Sequence, residues 1–161
     1  MYVKKIISIT ALMLIANLAA AQQFDSSKIY FGGGLSKNSL SGFDDATGYQ
    51  VFGGYPLDVD LGGGQLSVEV GYMDSGSFET DFFGLTIETE ATGFWSTAVG
   101  EWQLNQNLNL IGRLGLDFGD DDGFMLGGGI GYKMTDNMDL RGEYVIRDNI
   151  DSLQVNFVYY P

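Results

Sequence analysis

The chain of 161 residues contains no cysteine and no histidine. Without cysteine it has no disulfide, no thiolate metal site and no thiol nucleophile. Histidine most often activates a serine or a water at neutral pH, so its absence would leave general-base chemistry to an unusually tuned carboxylate or lysine. The two absences predict a protein that is not an enzyme, with no catalytic residue, no cofactor and no resident metal.

Basic residues and proline are also scarce. The chain has 8 Lys and Arg against 21 Asp and Glu, and phosphate binding needs clustered cations, which excludes nucleic acid as a partner. Proline occurs twice, glycine 24 times, and aromatic residues make up 14% of the chain. This composition favours many short strands over helices.

The first residues have the three-part pattern of a secretory signal peptide. Lys4 and Lys5 precede an apolar run, and alanines at 19–21 follow it. The apolar run is too short to span a bilayer as a helix, so we predict a cleavable signal peptide over 1–21. The remaining domain, 22–161, keeps 6 basic and 21 acidic residues and a net charge of −15.

After the signal peptide, turn-rich stretches separate about eight segments of alternating polarity. They have the length that a tilted strand needs to cross a bilayer, about 9–11 residues. No apolar run long enough for a membrane-spanning helix follows the signal. The segments are 28–37, 47–57, 65–74, 92–104, 108–118, 124–134, 138–148 and 152–160.

One face of these segments carries no charged residue. In the third to seventh segments a one-residue slip would invert the faces, and each lysine or arginine placed in lipid would cost about 2–4 kcal/mol. The residues that a slip would expose are Glu69, Glu101, Arg113, Asp117, Lys133, Asp139, Arg141, Glu143 and Arg147. The fourth segment is ambiguous because Leu85 and Phe94 differ in parity, and a bulge near 91–93 would reconcile them.

The apolar face belongs to every segment, and no helix or second sheet is available to cover it. We therefore predict an all-β fold, an eight-stranded antiparallel up-and-down barrel with its apolar side in lipid and its polar side in the lumen. Charges in so narrow a lumen must be paired. The predicted ion-pair network consists of Glu69, Glu101, Arg113, Lys133, Arg141 and Glu143. It is either a plug of salt bridges or a gate for small ions.

Aromatic residues recur near both ends of the apolar face. Such rings form girdles at the two interfaces of a membrane barrel. The predicted girdle residues are Tyr55, Trp102, Tyr132 and Tyr159 at one level and Tyr72, Phe118 and Tyr144 at the other.

The loops supply the remaining candidates. The longest, roughly 74–91, contains Phe78, Phe82 and Phe83, which either form a surface interaction site or pack within a hairpin extending above the membrane. Acidic residues crowd the same loops and either bind divalent cations or form a solvated acidic rim. The run 120–122 lacks the spacing of a calcium loop.

These features resemble the small outer-membrane barrel family that includes the OmpA transmembrane domain, OmpX and the opacity-type proteins. The resemblance covers nearly all of the chain after the signal. It rests on YFGGG at 30–34, FGGY at 52–55, VEVGY at 68–72, GEY at 142–144 and VNFVY at 155–159. The last run is similar to the C-terminal signal read by the outer-membrane assembly machinery, although the chain adds Tyr160 and Pro161.

The resemblance implies the outer membrane of a Gram-negative cell, with both ends of the mature chain in the periplasm. It implies membrane lipid, lipopolysaccharide and the assembly machinery as partners. Two functions remain open: a structural or adhesin-like surface role with a plugged lumen, or a narrow channel for ions or very small solutes gated by the ion pairs. The uncharged outward face argues against a soluble lipocalin-like carrier.

Overall fold

The computed structural model describes residues 25–83 and 85–161. The predicted signal peptide, 1–21, lies outside the described residues. A single 3-10 turn, Ser26–Lys28, precedes the first strand, and the side chain of Asp25 caps it. Within the described ranges no helix is long and apolar enough to cross a membrane.

Most of the described chain is strand, arranged as one closed antiparallel barrel in chain order. The strands are β1 (Tyr30–Leu40), β2 (Ala46–Asp60), β3 (Gly64–Phe82), β4 (Leu85–Gln103), β5 (Leu108–Gly119), β6 (Gly123–Lys133), β7 (Met138–Ile146) and β8 (Ile150–Tyr159). Closure comes from pairing of β1 with β8, which removes the unpaired edges that hydrocarbon cannot tolerate. The predicted eight-stranded barrel is confirmed. We refer to the end that carries both termini as the inner end and to the opposite end as the outer end.

Alternate residues lie on opposite faces of the barrel wall, as the sequence predicted. On β5, Leu114 is 59% exposed, whereas the neighbouring Arg113 is 3% exposed. On β8, Val155 and Phe157 face outward, and Asn156 between them is buried. The large exposed side chains of the wall are apolar or aromatic, a surface that hydrocarbon rather than water covers. The predicted outward face is therefore confirmed.

β3 and β4 extend further than the sequence predicted. The predicted segments covered 65–74 and 92–104, whereas the paired ladder continues to Phe82↔Leu85. The extra part includes Phe, Thr and Ile residues, which favour strands, and it projects from the outer end as a hairpin. We refer to residues 77–90 as the surface hairpin.

A register shift separates the surface hairpin from the barrel. Between 74–77 of β3 and 90–92 of β4, β3 has two unmatched residues and β4 has one. One of the two is Gly76, whose φ is +72° and whose added Cβ would collide with the carbonyl of Thr47. The bulge predicted near 91–93 is therefore present, and its larger insertion lies on β3.

Candidate functional site in the barrel lumen

The lumen contains a network of buried ion pairs. Arg113, from β5, donates from Nε to Glu143 Oε2 at 2.7 Å and from Nη2 to Glu143 Oε1 at 2.9 Å. Its Nη2 also lies 3.3 Å from Glu69 Oε2. The two bonds to Glu143 are bidentate, the strongest geometry for a guanidinium and a carboxylate. Gly127 makes room for this arginine, since an added Cβ would lie 2.9 Å from Arg113 Cγ.

A second arginine extends the network toward the inner end. Arg141, from β7, donates from Nη1 to Glu69 Oε1 at 2.6 Å and from Nη2 to Glu101 Oε1 at 2.5 Å. The hydroxyl of Tyr30 donates to Glu69 Oε1 at 2.9 Å. Tyr160 turns inward from the end of β8, where its hydroxyl accepts from Arg141 Nη2 at 3.1 Å. The sequence had not assigned Tyr160 a role, because it follows the last outward-facing aromatic residue.

The network joins four strands across the barrel. Its two guanidiniums and three carboxylates come from β3, β4, β5 and β7, and all except Glu101 are almost completely buried. Charges removed from water are costly unless they are paired and hydrogen-bonded, and here each arginine contacts two carboxylates. The arrangement can fill space and brace the wall.

Lys133 does not join the network, contrary to the prediction. Its Nζ lies 3.1 Å from Asp136 Oδ1 in the turn that follows β6, and the lysine side chain is 46% exposed. Lys133 is the last residue of its strand, so its flexible side chain reaches water beyond the closed lumen.

An apolar layer lies on the outer side of the network. Strands β3 and β7 run from the inner end to the outer end, and the layer comes after Glu69 and Glu143 in that direction. Its residues are Phe52, Met73, Trp95, Met125 and Val145. The guanidinium of Arg113 lies 5.6 Å from the ring centroid of Trp95, within cation–π range. The sequence had identified the inward face only as polar and glycine-rich, so this layer was missed.

A second ion pair lies beyond the apolar layer, near the outer end. Arg147 Nε is 3.1 Å from Asp117 Oδ2, and both side chains are buried. Arg147 Nη1 also donates to Ser152 Oγ at 2.6 Å, and that hydroxyl donates to Asn38 Oδ1 at 2.6 Å. The predicted network omitted this pair. Opposite charges at inward positions near the same end of β5 and β7 were the signal that could have revealed it.

The predicted girdle residues lie on the outward face near the two ends. Trp102 Nε1 donates to Leu61 O at 3.1 Å beside an inner turn. Tyr144 donates its hydroxyl to Asp151 Oδ2 at 3.0 Å at the outer end. The remaining members show the same grouping: Tyr55, Tyr132 and Tyr159 lie toward the inner end, and Tyr72 and Phe118 lie toward the outer end.

The three phenylalanines of the long loop have different positions. Phe78 is completely buried and packs with Ala46 and Ile150 at the outer mouth of the barrel, so of the two alternatives that the sequence left open it follows packing and not surface interaction. Because side chains alternate between the two faces of a strand, the side chain of Phe78 points toward the barrel axis. Phe83 is 92% exposed at the hairpin turn. The side chain of Phe82 lies outside the described part of the structure.

An exposed ion pair lies at the acidic outer end. Lys37 Nζ lies 2.8 Å from Asp45 Oδ2, and hydrogen bonds from Lys37 and Ser39 hold the pKa of the Asp45 carboxyl below its ordinary value. Across the residues that the structure describes, no group of three or more acidic side chains is placed to hold a metal ion.

Comparison with known sequences identifies the family. The family model described as "Outer membrane protein beta-barrel domain" matches residues 8–159. The chain belongs to this outer-membrane β-barrel family. It is therefore a protein of the Gram-negative outer membrane, with buried salt bridges in its lumen. Among curated protein sequences, none matches the chain.

Solved structures share the fold at low sequence identity. A de novo designed transmembrane β-barrel is similar with a TM-score of 0.56 and 15% identity, over 86% of this chain and 98% of the designed one. Ail, the attachment invasion locus protein of Yersinia pestis, was solved in complex with the heparin analogue sucrose octasulfate. It is similar with a TM-score of 0.52 and 15% identity, over 82% of this chain and 95% of Ail. These likenesses show the barrel fold alone.

Proposed function

We propose that this chain is a non-enzymatic surface-interaction protein, adhesin-like in role, whose barrel is plugged by its own side chains. The observation that carries the proposal is the buried network, in which Arg113 and Arg141 fill the lumen with their carboxylate partners. The apolar layer and the pair of Arg147 with Asp117 fill the lumen further out. An eight-stranded barrel has an interior just wide enough for side chains.

The surface hairpin supports the interaction role. It extends from a closed barrel and presents Phe83 and the exposed Leu85 and Ile87 outside the membrane. Ail, which shares the fold, was solved with a sulfated ligand, so barrels of this kind can present a binding surface. The outer end of this chain is acidic, so its partner differs from a sulfated polymer. Lipid and lipopolysaccharide contact the outward face, and β8 presents the signal for the assembly machinery.

Planar-bilayer recording tests the plug. The folded protein is expected to give no steady conductance, because ions would have to cross paired buried charges and then an apolar layer. Neutralising Glu101 through Glu101→Gln is expected to leave the bilayer silent, since the apolar layer remains. Steady conductance that changes in this variant would favour the alternative function, a narrow channel gated by the lumen ion pairs.

Attachment of cells tests the surface role. Bacteria displaying the chain are compared with bacteria displaying a variant whose surface hairpin, 77–90, is replaced by a short turn. Loss of attachment to protein-coated surfaces, with unchanged heat-dependent gel mobility of the barrel, is the expected result. Equal attachment by both strains would contradict the proposal.

A further inference from the structure

The surface hairpin has two edges, and only one of them is covered. On the β3 edge, Asp44 N in the loop after β1 donates to Glu79 O at 2.8 Å. On the other edge, the pairing of β4 with β5 stops at Gly93↔Gly119. Among the described residues none pairs with the outer edge of residues 85–91, and all but the last of these are exposed. One side of β4 is therefore an open strand edge above the membrane.

The backbone groups that face the open edge can be assigned from the ladder. Glu79 directs its carbonyl away from β4, toward Asp44, and Glu88 lies directly opposite Glu79. In an antiparallel ladder, two residues directly opposite each other direct their backbone groups either both toward the partner strand or both away from it. Because Glu79 points away from β4, Glu88 points away from β3, and its N–H and C=O face the open edge. By alternation those of Thr86 and Glu90 do too. Three N–H and three C=O groups are thus available to a further strand.

The two faces of the hairpin differ in chemistry. Glu88 and Glu90 lie on the same face as Glu79, and Glu79 and Glu88 are directly opposite, where like charges destabilise a sheet. Leu85 and Ile87 lie on the other face and are 71% and 46% exposed. A neighbouring strand would therefore meet carboxylates at alternate positions and apolar side chains between them.

The carboxylates also decide which partner fits. A second copy of this chain would bring its own carboxylates against the same edge, and charged residues at strand edges are a common defence against such self-association. Lysine or arginine at alternate positions of a partner strand would instead neutralise Glu88 and Glu90.

We propose that the open edge of β4, residues 85–91, binds an extended segment of a partner protein as an added strand, with basic and apolar residues alternating along that segment. Addition of a strand to an exposed edge obtains affinity from main-chain hydrogen bonds and specificity from alternate side chains. The proposal rests on the proposed surface-interaction function and specifies the partner of that surface.

The test uses the full chain, folded in lipid nanodiscs, and a synthetic peptide of about seven residues that alternates lysine and valine, the length of the open edge. Residue-resolved amide exchange is expected to show protection of Thr86, Glu88 and Glu90 on peptide addition. A peptide alternating glutamate and valine is expected to give none. Protection confined to other residues, no protection at all, or equal protection by both peptides would overturn the proposal.

Substitutions separate the backbone from the side chains. Thr86→Pro removes one outward N–H without breaking a bond to β3, and it is expected to weaken binding of the lysine–valine peptide about fivefold, the effect of one hydrogen bond. The matched control, Thr86→Val, loses the hydroxyl that bonds Asp81 but keeps the N–H, so it is expected to bind like the wild type. Equal binding by both variants would overturn strand addition.

A charge series tests the basic character of the partner. Glu88→Gln combined with Glu90→Gln is expected to weaken peptide binding about tenfold and to reduce its dependence on salt. Asp122→Asn, an exposed carboxylate at the outer end but off the hairpin, is the control and is expected to stay within about twofold. Equal effects of the two changes would overturn the proposal. If attachment still requires the hairpin while the peptide protects no amide, only the strand-addition proposal fails and the surface role stands.

Discussion

Two groups of charges lie inside the barrel, on opposite sides of the apolar layer, and they are built differently. The inner network joins four strands through two arginines, each of which contacts two carboxylates. The outer pair joins Asp117 of β5 to Arg147, the residue that follows β7, with Ser152 as a neutral hydrogen-bond partner.

This difference indicates which of the two groups contributes more to the stability of the barrel. Removing one member of the inner network takes a counter-ion from each of its buried partners, and a buried charge that loses its counter-ion is costly. In the outer pair, Arg147 retains a neutral partner, Ser152, when Asp117 is changed. We expect the inner network to dominate stability and the outer pair to contribute less.

The largest predicted effect is that of Arg141→Met. Glu69 and Glu101 lose the guanidinium that they share, so the free energy of unfolding is expected to fall by about 3–5 kcal/mol. Urea titration of the folded and unfolded gel bands measures the change.

Lys133→Met is the matched control, because it removes a cation whose partner, Asp136, is exposed. Its effect is expected to stay within about 0.5 kcal/mol. If the two variants were equally stable, the inner network would not brace the barrel.

An intermediate effect is predicted for Asp117→Asn at the outer end. The charge-assisted contact with Arg147 is lost while the bond from Arg147 to Ser152 at 2.6 Å remains, so the expected loss is about 1.5–3 kcal/mol. The same titration measures it. A loss exceeding that of Arg141→Met would reverse the ranking of the two groups.

A smaller effect is predicted for Trp95→Phe in the layer between the two groups. Within the described structure the indole Nε1 is buried and has no hydrogen-bond partner, so its removal relieves an unpaired donor. The loss of ring area and of the contact with Arg113 offsets this gain. We expect a net change within about 1 kcal/mol. A loss above about 3 kcal/mol would indicate that ring packing outweighs the relieved donor.

The smallest effect is predicted outside the lumen, for Lys37→Met. Because the lysine holds the pKa of Asp45 below its ordinary value, that pKa is expected to rise toward the ordinary value. A depressed carboxyl pKa stabilises the fold above the unfolded-state pKa, and this stabilisation is lost as the pH falls through the folded-state pKa. The pair is exposed, so we expect no measurable change in the urea midpoint at neutral pH. Carboxyl NMR titration measures the pKa, and an unchanged value would contradict the assignment.

The barrel could be predicted from the sequence because its signal repeats in every strand. Alternation places Leu114 outward and Arg113 inward. In the strands that carry charged residues, the cost of a charge in lipid decides which of the two faces points outward. Arg113, Arg141, Glu69, Glu101 and Glu143 were grouped because they share the inward face and lie near the inner ends of their strands, and the structure brings them together.

The remaining features depend on the position of a residue along the barrel axis and on the length of its strand. The alternation of inward and outward residues determines neither quantity. Lys133 shares the inward parity but lies at a strand end, where its side chain reaches water. Phe78 was assigned to a loop because the strand prediction stopped at residue 74, and only the continued ladder turns it toward the barrel axis. Arg147 was identified as inward-facing, but its pairing with Asp117 required the geometry of the closed barrel.

Chemical access to the middle of the lumen tests the closed interior most directly. Thr97 is completely buried beside Glu69, and the chain has no cysteine, so Thr97→Cys introduces a single thiol. A small charged thiol reagent added to either side of a membrane is expected to leave this thiol unmodified until urea unfolds the barrel. Thr89→Cys in the exposed hairpin is expected to react at once. Reaction of the folded Thr97→Cys protein from either side would contradict a plugged lumen.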